Sequence, residues 1–281
     1  MRITFWGTRG SIASPGPKTV VYGGNTTCVE VTLSSGRTVI IDAGTGIRIL
    51  GEDLLKRGHP LDMHLLMTHV HWDHLIGFPF FAPLYLDGCR IHVDGFTRGL
   101  EGLKWVFSNK HVDGTWPIRF DDLKARIEPA HRLAHGPVSL DGTTVSAHRI
   151  QHPQGGMGFK FTDDSGVFVF LTDNELREDG WRGTCFADFV RFCRNADLLV
   201  HDCQYVPEEM ELRKGWGHSD LSFVARLAAE SEVRRLVLFH HDPWRTDEGI
   251  GAMVTRCEGM LDQAHASIPV EAAKEGTDLT L

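Results

Sequence analysis

The chain has 281 residues, 42% of them hydrophobic, and a formal net charge of -8. This length can bury a large core, and the negative charge argues against a broad binding surface for duplex DNA or large RNA. There is no run of 18 apolar residues and no charged-then-apolar leader, so we expect a cytoplasmic protein without a membrane span. The six cysteines form no C-x-x-C pair and are expected to be reduced thiols. No linker divides the sequence, which predicts one domain over residues 1–281.

Residues 1–60 predict strands followed by a helix. A first strand covers 2–6, and residues 28–33 and 38–41 read as a hairpin with turn residues between them. The segment Asp42-Ala43-Gly44-Thr45-Gly46 ends the hairpin, and residues 47–56 have helical spacing. Asp42 is expected to lie beneath the histidine cluster over residues 69–74 and to orient one of its imidazole rings. A simple turn residue is the alternative.

The loop over residues 8–27 is rich in Gly, Pro and Ser. Loops held on a rigid scaffold often carry function. This loop is therefore a candidate for carrying functional residues. Asn25 is a candidate for substrate contact, and a structural turn role is the alternative.

A polar cluster follows the apolar run over residues 61–67, which reads as a buried strand. The cluster contains His69, His71, Asp73 and His74 in the order His-x-His-x-Asp-His. Imidazole and carboxylate groups are natural ligands of zinc and similar divalent ions. This order after a strand predicts a metal site at the strand end.

The motif His69-x-His71-x-Asp73-His74 resembles the signature of the metallo-β-lactamase-fold hydrolases. The likeness runs over about residues 2–245, and three further segments occur in the family's order: residues 42–46, His152 with Asp173, and residues 238–242. The segment Trp216-Gly217-His218-Ser219 makes the chain most similar to the ribonuclease Z-like and phosphodiesterase branch.

Most of the remaining elements alternate strands and helices, and several strands end in a candidate site residue. Strands are expected at 90–94, 144–150, 157–161, 167–171, 198–200 and 235–239, and helices at 97–110, 186–194, 221–229 and 249–264. His74 and Leu75 are expected to begin a short helix, and Ser219 to cap the helix at 221. The aromatic residues in 97–127 are interpreted as core, with a base-stacking platform as the alternative. The segments Trp116-Pro117-Ile118 and 120–127 could also cover an edge of the site. His201 and Asp202 are expected near the metals in a ligating, orienting or structural role.

The resemblance implies a ligand set for two divalent ions. His69, His71 and His152 would hold one ion, Asp73, His74 and His240 the other, and Asp173 and a water or hydroxide would bridge them. His241 remains an alternative to His240. Zinc is expected first, and manganese, iron or cobalt would also suit these N and O ligands. The catalytic residues would be Asp73 and His218, with His218 contacting the substrate and protonating the leaving oxygen.

The fold implied by the resemblance is a four-layer αββα sandwich of the α/β (α+β) class, with the metals at one rim of the sheets. The function expected first is a dinuclear phosphodiesterase for a small or cyclic nucleotide. The alternatives are a ribonuclease Z-like RNA endonuclease, a lactone, ester or lactam hydrolase, and a non-hydrolytic metal-binding member of the fold. No membrane or duplex DNA partner is expected, and a homodimer remains open.

Overall fold

The computed structural model describes residues 1–58, 61–108, 117–180 and 183–281. The last two residues of the helix predicted over 97–110, and Trp116 of the predicted edge segment, lie outside these ranges. None of the helices in the described ranges has the length and apolar character needed to cross a bilayer.

The described residues form two seven-stranded sheets. The strands of the first sheet are β1 (Arg2–Gly7), β2 (Cys28–Thr32), β3 (Thr38–Ile41), β4 (Asp62–Met67), β5 (Arg90–Gly95), β6 (Arg126–Pro129) and β14 (Asp278–Thr280). Their order is β14-β1-β2-β3-β4-β5-β6. The predicted hairpin is confirmed, because β2 and β3 pair antiparallel, while β3 to β6 run parallel.

The second sheet has the order β13-β12-β11-β10-β9-β8-β7. Its strands are β7 (Val138–Leu140), β8 (Thr143–Arg149), β9 (Met157–Asp163), β10 (Gly166–Leu171), β11 (Leu198–Asp202), β12 (Leu236–Phe239) and β13 (Val270–Ala272). The strands β10 to β13 are parallel neighbours, which requires crossover connections between them.

Helices supply several of these crossovers and cover the outer faces of the sheets. They are α1 (Ile47–Arg57), α2 (Gly99–Trp105), α3 (Phe186–Cys193), α4 (Met210–Arg213), α5 (Leu221–Glu230) and α6 (Asp247–Gln263). Because α1 joins β3 to β4 and α5 joins β11 to β12, the strands on either side of each helix run in the same direction.

Three apolar cores produce the layers. The central core joins inward side chains of both sheets, such as Phe5 and Phe170, and separate cores lie under α1 and α2 and under α3, α5 and α6. In β10 the side chains alternate, since Phe168 and Phe170 enter the central core and Val169 and Leu171 face the helices. This period of two places helices outside both sheets. The predicted αββα sandwich is confirmed.

Several local predictions are wrong. The helix predicted from residue 97 begins at Gly99 and ends at Trp105. The short helix after His74 is instead a series of 3-10 turns, at Trp72–His74, Phe78–Phe80 and Ala82–Tyr85, where two prolines remove backbone donors. The helix α5 is capped by Asp220, whose carboxylate accepts from the Ser222 N–H, and not by Ser219.

The strands that were not predicted are the short edge strands of the two sheets. The strands β6, β7, β13 and β14 have three or four residues each, too few for a period-two pattern to be recognised in the sequence. The segment 120–127 was expected beside the site, and its last two residues begin the edge strand β6.

Candidate metal centre

The candidate ligands come from loops at one common rim of the two sheets. His69 follows β4, His152 follows β8, Asp173 follows β10 and His240 follows β12. The strand β8 runs antiparallel to β9 and β9 antiparallel to β10, so β8 and β10 end at the same rim. The sequence-distant residues therefore meet because their strands share a direction.

His69, His71 and His152 form the first group, with one ligand atom of each within 4.8 Å of the others. His152 Nε2 lies 3.0 Å from His71 Nδ1, and His152 Nδ1 lies 3.0 Å from the carbonyl oxygen of Gly217. The Gly217 carbonyl holds the outer ring nitrogen of His152, which leaves Nε2 directed at the group.

Asp73, His74, Asp173 and His240 form the second group under the same distance limit. His74 Nε2 lies 3.3 Å from Asp73 Oδ2 and 3.2 Å from Asp173 Oδ2. His240 Nε2 lies 3.2 Å from Asp73 Oδ2 and 3.3 Å from Asp173 Oδ2. Asp173 Oδ1 points to the other group, 3.7 Å from His69 Nε2 and 3.9 Å from His152 Nε2.

The donor set fits divalent metal ions. Among the described residues, the buried nitrogen His69 Nε2 has no hydrogen-bond partner, which is costly for a buried polar atom. Burial, reinforced by the neighbouring imidazoles, holds the pKa of His69 well below its usual value, so its ring stays neutral with a free lone pair. Although burial opposes it, the adjacent histidines hold the pKa values of Asp73 and Asp173 well below the usual range. A neutral imidazole at His69 and ionised carboxylates at Asp73 and Asp173 are metal-ligating groups.

Left-handed backbone conformations occur at three of the strand ends. Asp42 has φ 61°, Asp173 has φ 52° and His240 has φ 58°. Such conformations are uncommon for residues other than glycine and are concentrated at functional sites. Each turns its side chain back toward the cluster immediately after a buried strand.

Asp42 lies where the sequence prediction expected it, next to a metal-site imidazole. Its Oδ2 is 2.7 Å from His74 Nδ1, and its two oxygens accept hydrogen bonds from the backbone and hydroxyl of Thr68. This contact fixes the proton of His74 on Nδ1 and leaves the lone pair of Nε2 for a ligand.

His218 lies at the edge of both groups. Its Nδ1 is 2.7 Å from Asp202 Oδ2, and its ring stacks on His240 at a centroid distance of 5.0 Å. Burial alone would lower the pKa of His218, but Asp202 and the other nearby carboxylates raise it to about 9. Asp202 therefore orients His218, which was one of the roles left open by the sequence.

The two histidines after β12 differ in direction. His240 faces the cluster, whereas His241 Nε2 lies 2.9 Å from the carbonyl oxygen of Ala273 and its ring meets Tyr22 edge-on. His201 also faces away, toward Asn174 and the backbone of Asp202. The choice of His240 over His241 agrees with this geometry.

Asn25 is engaged in the loop itself. Its amide donates to Glu275 Oε2 at 2.9 Å, and its side-chain oxygen accepts from the Thr45 hydroxyl at 3.1 Å. These contacts are those of the structural alternative, so the geometry gives no support to substrate contact by Asn25.

The sequence analysis missed residues that hold the ligands in place. Arg9 is fully buried and donates to three backbone carbonyls, including those of Asp242 and Arg245. The Ser11 N–H donates to Asp73 Oδ2 at 2.7 Å, and a side chain at Gly10 would begin 2.5 Å from the His240 ring. The loop was recognised from its Gly/Pro/Ser content, but nothing local in the sequence distinguished these positions.

Two further side chains support the site from the second sheet's loops. Glu175, unassigned from sequence, accepts from the backbone N–H groups of Gly215 and Gly217 and so shapes the segment that leads to His218. Gln204 Oε1 lies 3.2 Å from His240 Nδ1. Both contacts span about 36 residues or more along the chain, which puts them beyond the reach of a local motif.

Known proteins are similar to this chain over most of its length. Ribonuclease Z of Archaeoglobus fulgidus is 24% identical over 286 residues, covering 85% of this chain and 86% of the relative. An uncharacterized protein of Mycobacterium tuberculosis is 24% identical over 264 residues, covering 89% and 84%.

Solved structures share the fold over the whole chain. The metallo-beta-lactamase fold protein YhfI of Bacillus subtilis has a TM-score of 0.71 at 17% identity, with 99% and 98% of the two chains covered. The short form of human tRNase Z has a TM-score of 0.66 at 19% identity, with 100% and 99% covered. A diphosphatase of the PhnP family has a TM-score of 0.68 at 18% identity, with 100% and 97% covered.

The family model described as the beta-lactamase superfamily domain matches residues 37–241, which include the motif after β4, His152, Asp173, Asp202 and His240. The chain therefore belongs to the beta-lactamase superfamily.

Proposed function

We propose that this protein is a metal-dependent phosphodiesterase that hydrolyses a small or cyclic nucleotide and uses two divalent ions. The observation that carries the proposal is the pairing of His218 with Asp202 directly beside two adjoining groups of metal-ligating side chains. The likeness to ribonuclease Z of Archaeoglobus fulgidus supports phosphodiester chemistry.

The ions would be held by His69, His71 and His152 on one side and by Asp73, His74 and His240 on the other, with Asp173 between them. When bound, a pair of divalent ions lowers the pKa of water and neutralises the charge of phosphate oxygens. Zinc is proposed first, and manganese, iron or cobalt would suit the same donors.

The role of His218 follows from its contacts. Asp202 occupies Nδ1, so Nε2 is the ring nitrogen that remains to face a substrate. A histidine in this position can donate a proton to the departing alkoxide oxygen, which is a difficult leaving group without protonation.

The test is a substrate panel on one metal-loaded sample. Bis(p-nitrophenyl) phosphate, a cyclic nucleotide, a tRNA precursor, a lactone and nitrocefin are assayed side by side. We expect turnover of the first two. Turnover of only the lactone or nitrocefin refutes the phosphodiester assignment, and turnover of only the tRNA precursor assigns a ribonuclease Z-like endonuclease instead.

The variant His218→Ala tests the acid role, with His135→Ala as the control because His135 is exposed and outside both groups. We expect the cyclic nucleotide to lose about 10²–10⁴-fold in kcat in His218→Ala, with bound metal unchanged. Because His218 also lies within ligand distance of His152 and Asp173, loss of metal would instead identify it as a ligand.

A further inference from the structure

An apolar cavity lies directly beside the metal-binding motif. It has a volume of about 340 Å³, and its walls include Val70, Trp72, Leu75 and Trp105. Small-molecule sites are mostly apolar cavities of about 300–1,000 Å³ with a few polar groups. The cavity is at the lower end of this range and therefore suits one planar ring system better than a macromolecule.

The cavity lies against the loop that carries the metal-binding motif. Trp72 is joined by peptide bonds to His71 of the first group and Asp73 of the second group, and consecutive Cα atoms are about 3.8 Å apart. Val70 likewise stands between His69 and His71. Two residues of the motif therefore line the cavity, whereas the candidate ligands themselves do not.

The two tryptophans form an open aromatic corner. Their rings are 5.2 Å apart and perpendicular, with an interplanar angle of 81°. Trp72 is 57% exposed and Trp105 is 45% exposed. A flat ring stacked on one indole would meet the other edge to face, which is a favourable aromatic geometry.

Trp105 was interpreted from the sequence as core, and the structure corrects this. Leu103 and Phe107 of the same stretch are buried in the core under α2, whereas Trp105 turns outward to the cavity. Core packing therefore does not account for an indole at this position.

Among the described residues, the charged side chains that line the cavity are one cation and one anion. Arg98 and Glu101 line it, and neither forms an ion pair within the described part of the chain. A guanidinium offers donors and a carboxylate offers acceptors, so together they match the mixed polar edge of a base. Their charges cancel, which disfavours the cavity as a second phosphate site.

We propose that this cavity binds the nucleobase of the substrate, with Trp72 and Trp105 as the stacking surfaces. The inference rests on the proposed function, because it assumes that the reacting phosphodiester belongs to a nucleotide. Trp105 is then a specificity-determining residue that contacts the substrate away from the reacting bond.

The kinetic test compares two diesters that release the same product. Thymidine 5′-(p-nitrophenyl) phosphate carries a base, and ethyl p-nitrophenyl phosphate does not. Loss of one base–aromatic stack weakens binding by roughly 5- to 100-fold. We therefore expect Trp105→Ala to lower kcat/KM for the nucleoside diester by about tenfold, mainly through a higher KM. The ethyl diester should change less than about twofold, and Trp105→Phe should retain most of the preference. An equal loss on both diesters, or no loss on either, overturns the proposal.

A binding test keeps the result independent of turnover. Equilibrium dialysis of the metal-loaded protein compares AMP with ribose 5-phosphate, which lacks the base. We expect AMP to bind at least about fivefold more tightly, and Trp105→Ala to remove the difference. Trp244→Ala is the matched control, since Trp244 is 80% exposed and does not line the cavity.

The two proposals fail in different ways. If no diester is hydrolysed but AMP is preferred in a Trp105-dependent manner, the proposed reaction is wrong and the base site stands. If diesters are hydrolysed and AMP and ribose 5-phosphate bind equally, the phosphodiesterase stands and the base site is refuted.

Discussion

Asp42 provides a sharp test of how the metal centre is held, through the variant Asp42→Asn. The carboxylate is fully buried and accepts three hydrogen bonds, from the Thr68 N–H at 2.7 Å, the Thr68 hydroxyl at 2.6 Å and His74 Nδ1 at 2.7 Å. Asparagine has almost the same shape, so the change removes acceptors and leaves volume unchanged.

The amide can keep one contact but not all three. Its oxygen can still accept from the Thr68 N–H, but its NH₂ group, in the place of Oδ2, would face the proton on His74 Nδ1. Two donors cannot bond to each other. His74 must then carry its proton on Nε2, which removes the lone pair directed at Asp73 and Asp173.

The expected magnitudes follow from these contacts. Two charge-assisted hydrogen bonds become weaker neutral ones, at a cost of about 1 kcal/mol each, so the free energy of unfolding falls by about 2 kcal/mol. Loss of an orienting partner typically weakens metal binding by about 10–100-fold. Denaturant unfolding in the presence of a chelator measures the first effect, and elemental analysis after dialysis against a series of buffered zinc concentrations measures the second.

The control is Asp62→Asn, at the opposite end of β4, where the side chain is half exposed. We expect wild-type metal affinity in this variant. Wild-type zinc affinity in a folded Asp42→Asn protein, or an equal loss in the Asp62→Asn control, would refute the argument from the His74 proton.

Three further predictions test other parts of the structure. Replacing Gly10 by Ala puts a methyl group 2.5 Å from the His240 ring. We expect metal binding, measured by elemental analysis, to weaken at least about tenfold. The control Gly16→Ala lies in the same loop with open space around it and should bind metal normally. Arg9→Met leaves three loop carbonyls without their donor, and urea unfolding should show a loss of about 3 kcal/mol. Burial, with the neighbouring cationic side chains, lowers the pKa of His64 from 6.5 to about 4. The unfolded chain therefore takes up the proton at a higher pH than the folded protein does, and the free energy of unfolding falls as the pH drops from 6.5 to about 4. Replacing His64 by Gln should reduce this acid-side loss by about 1 kcal/mol after allowance for solvent screening, and an unchanged pH profile of unfolding would contradict the assignment.

Strand and helix positions with strong periodicity were predicted well. The helices α1, α3, α5 and α6 begin and end within about two residues of the predicted bounds. Where the pattern was short or the chain was turned by proline, prediction failed, as at β6 and in the 3-10 turns after His74. Three or four residues are too few to display a period of two or 3.6.

The residues of the candidate site differ in the same way: some belong to a local motif, and others depend on long-range contacts. The motif His-x-His-x-Asp-His is local, because four ligand residues within six positions already imply a shared cation. The roles of Asp202, Gln204 and Arg9 depend on contacts 16 to 236 residues away in the chain. The residues next to these positions in the sequence show no pattern from which such contacts could be predicted.

By itself, the sequence determined the buried strands, the ligand types at their ends and the order in which they occur. The tertiary structure decided which side chains meet: it directs His240 into the cluster and His241 to the Ala273 carbonyl, and it turns Trp105 outward from the core. The physical reason is that neighbouring residues have similar local chemistry, whereas the direction of each side chain is set by the left-handed turn at a strand end and by the partners that the two packed sheets bring to it.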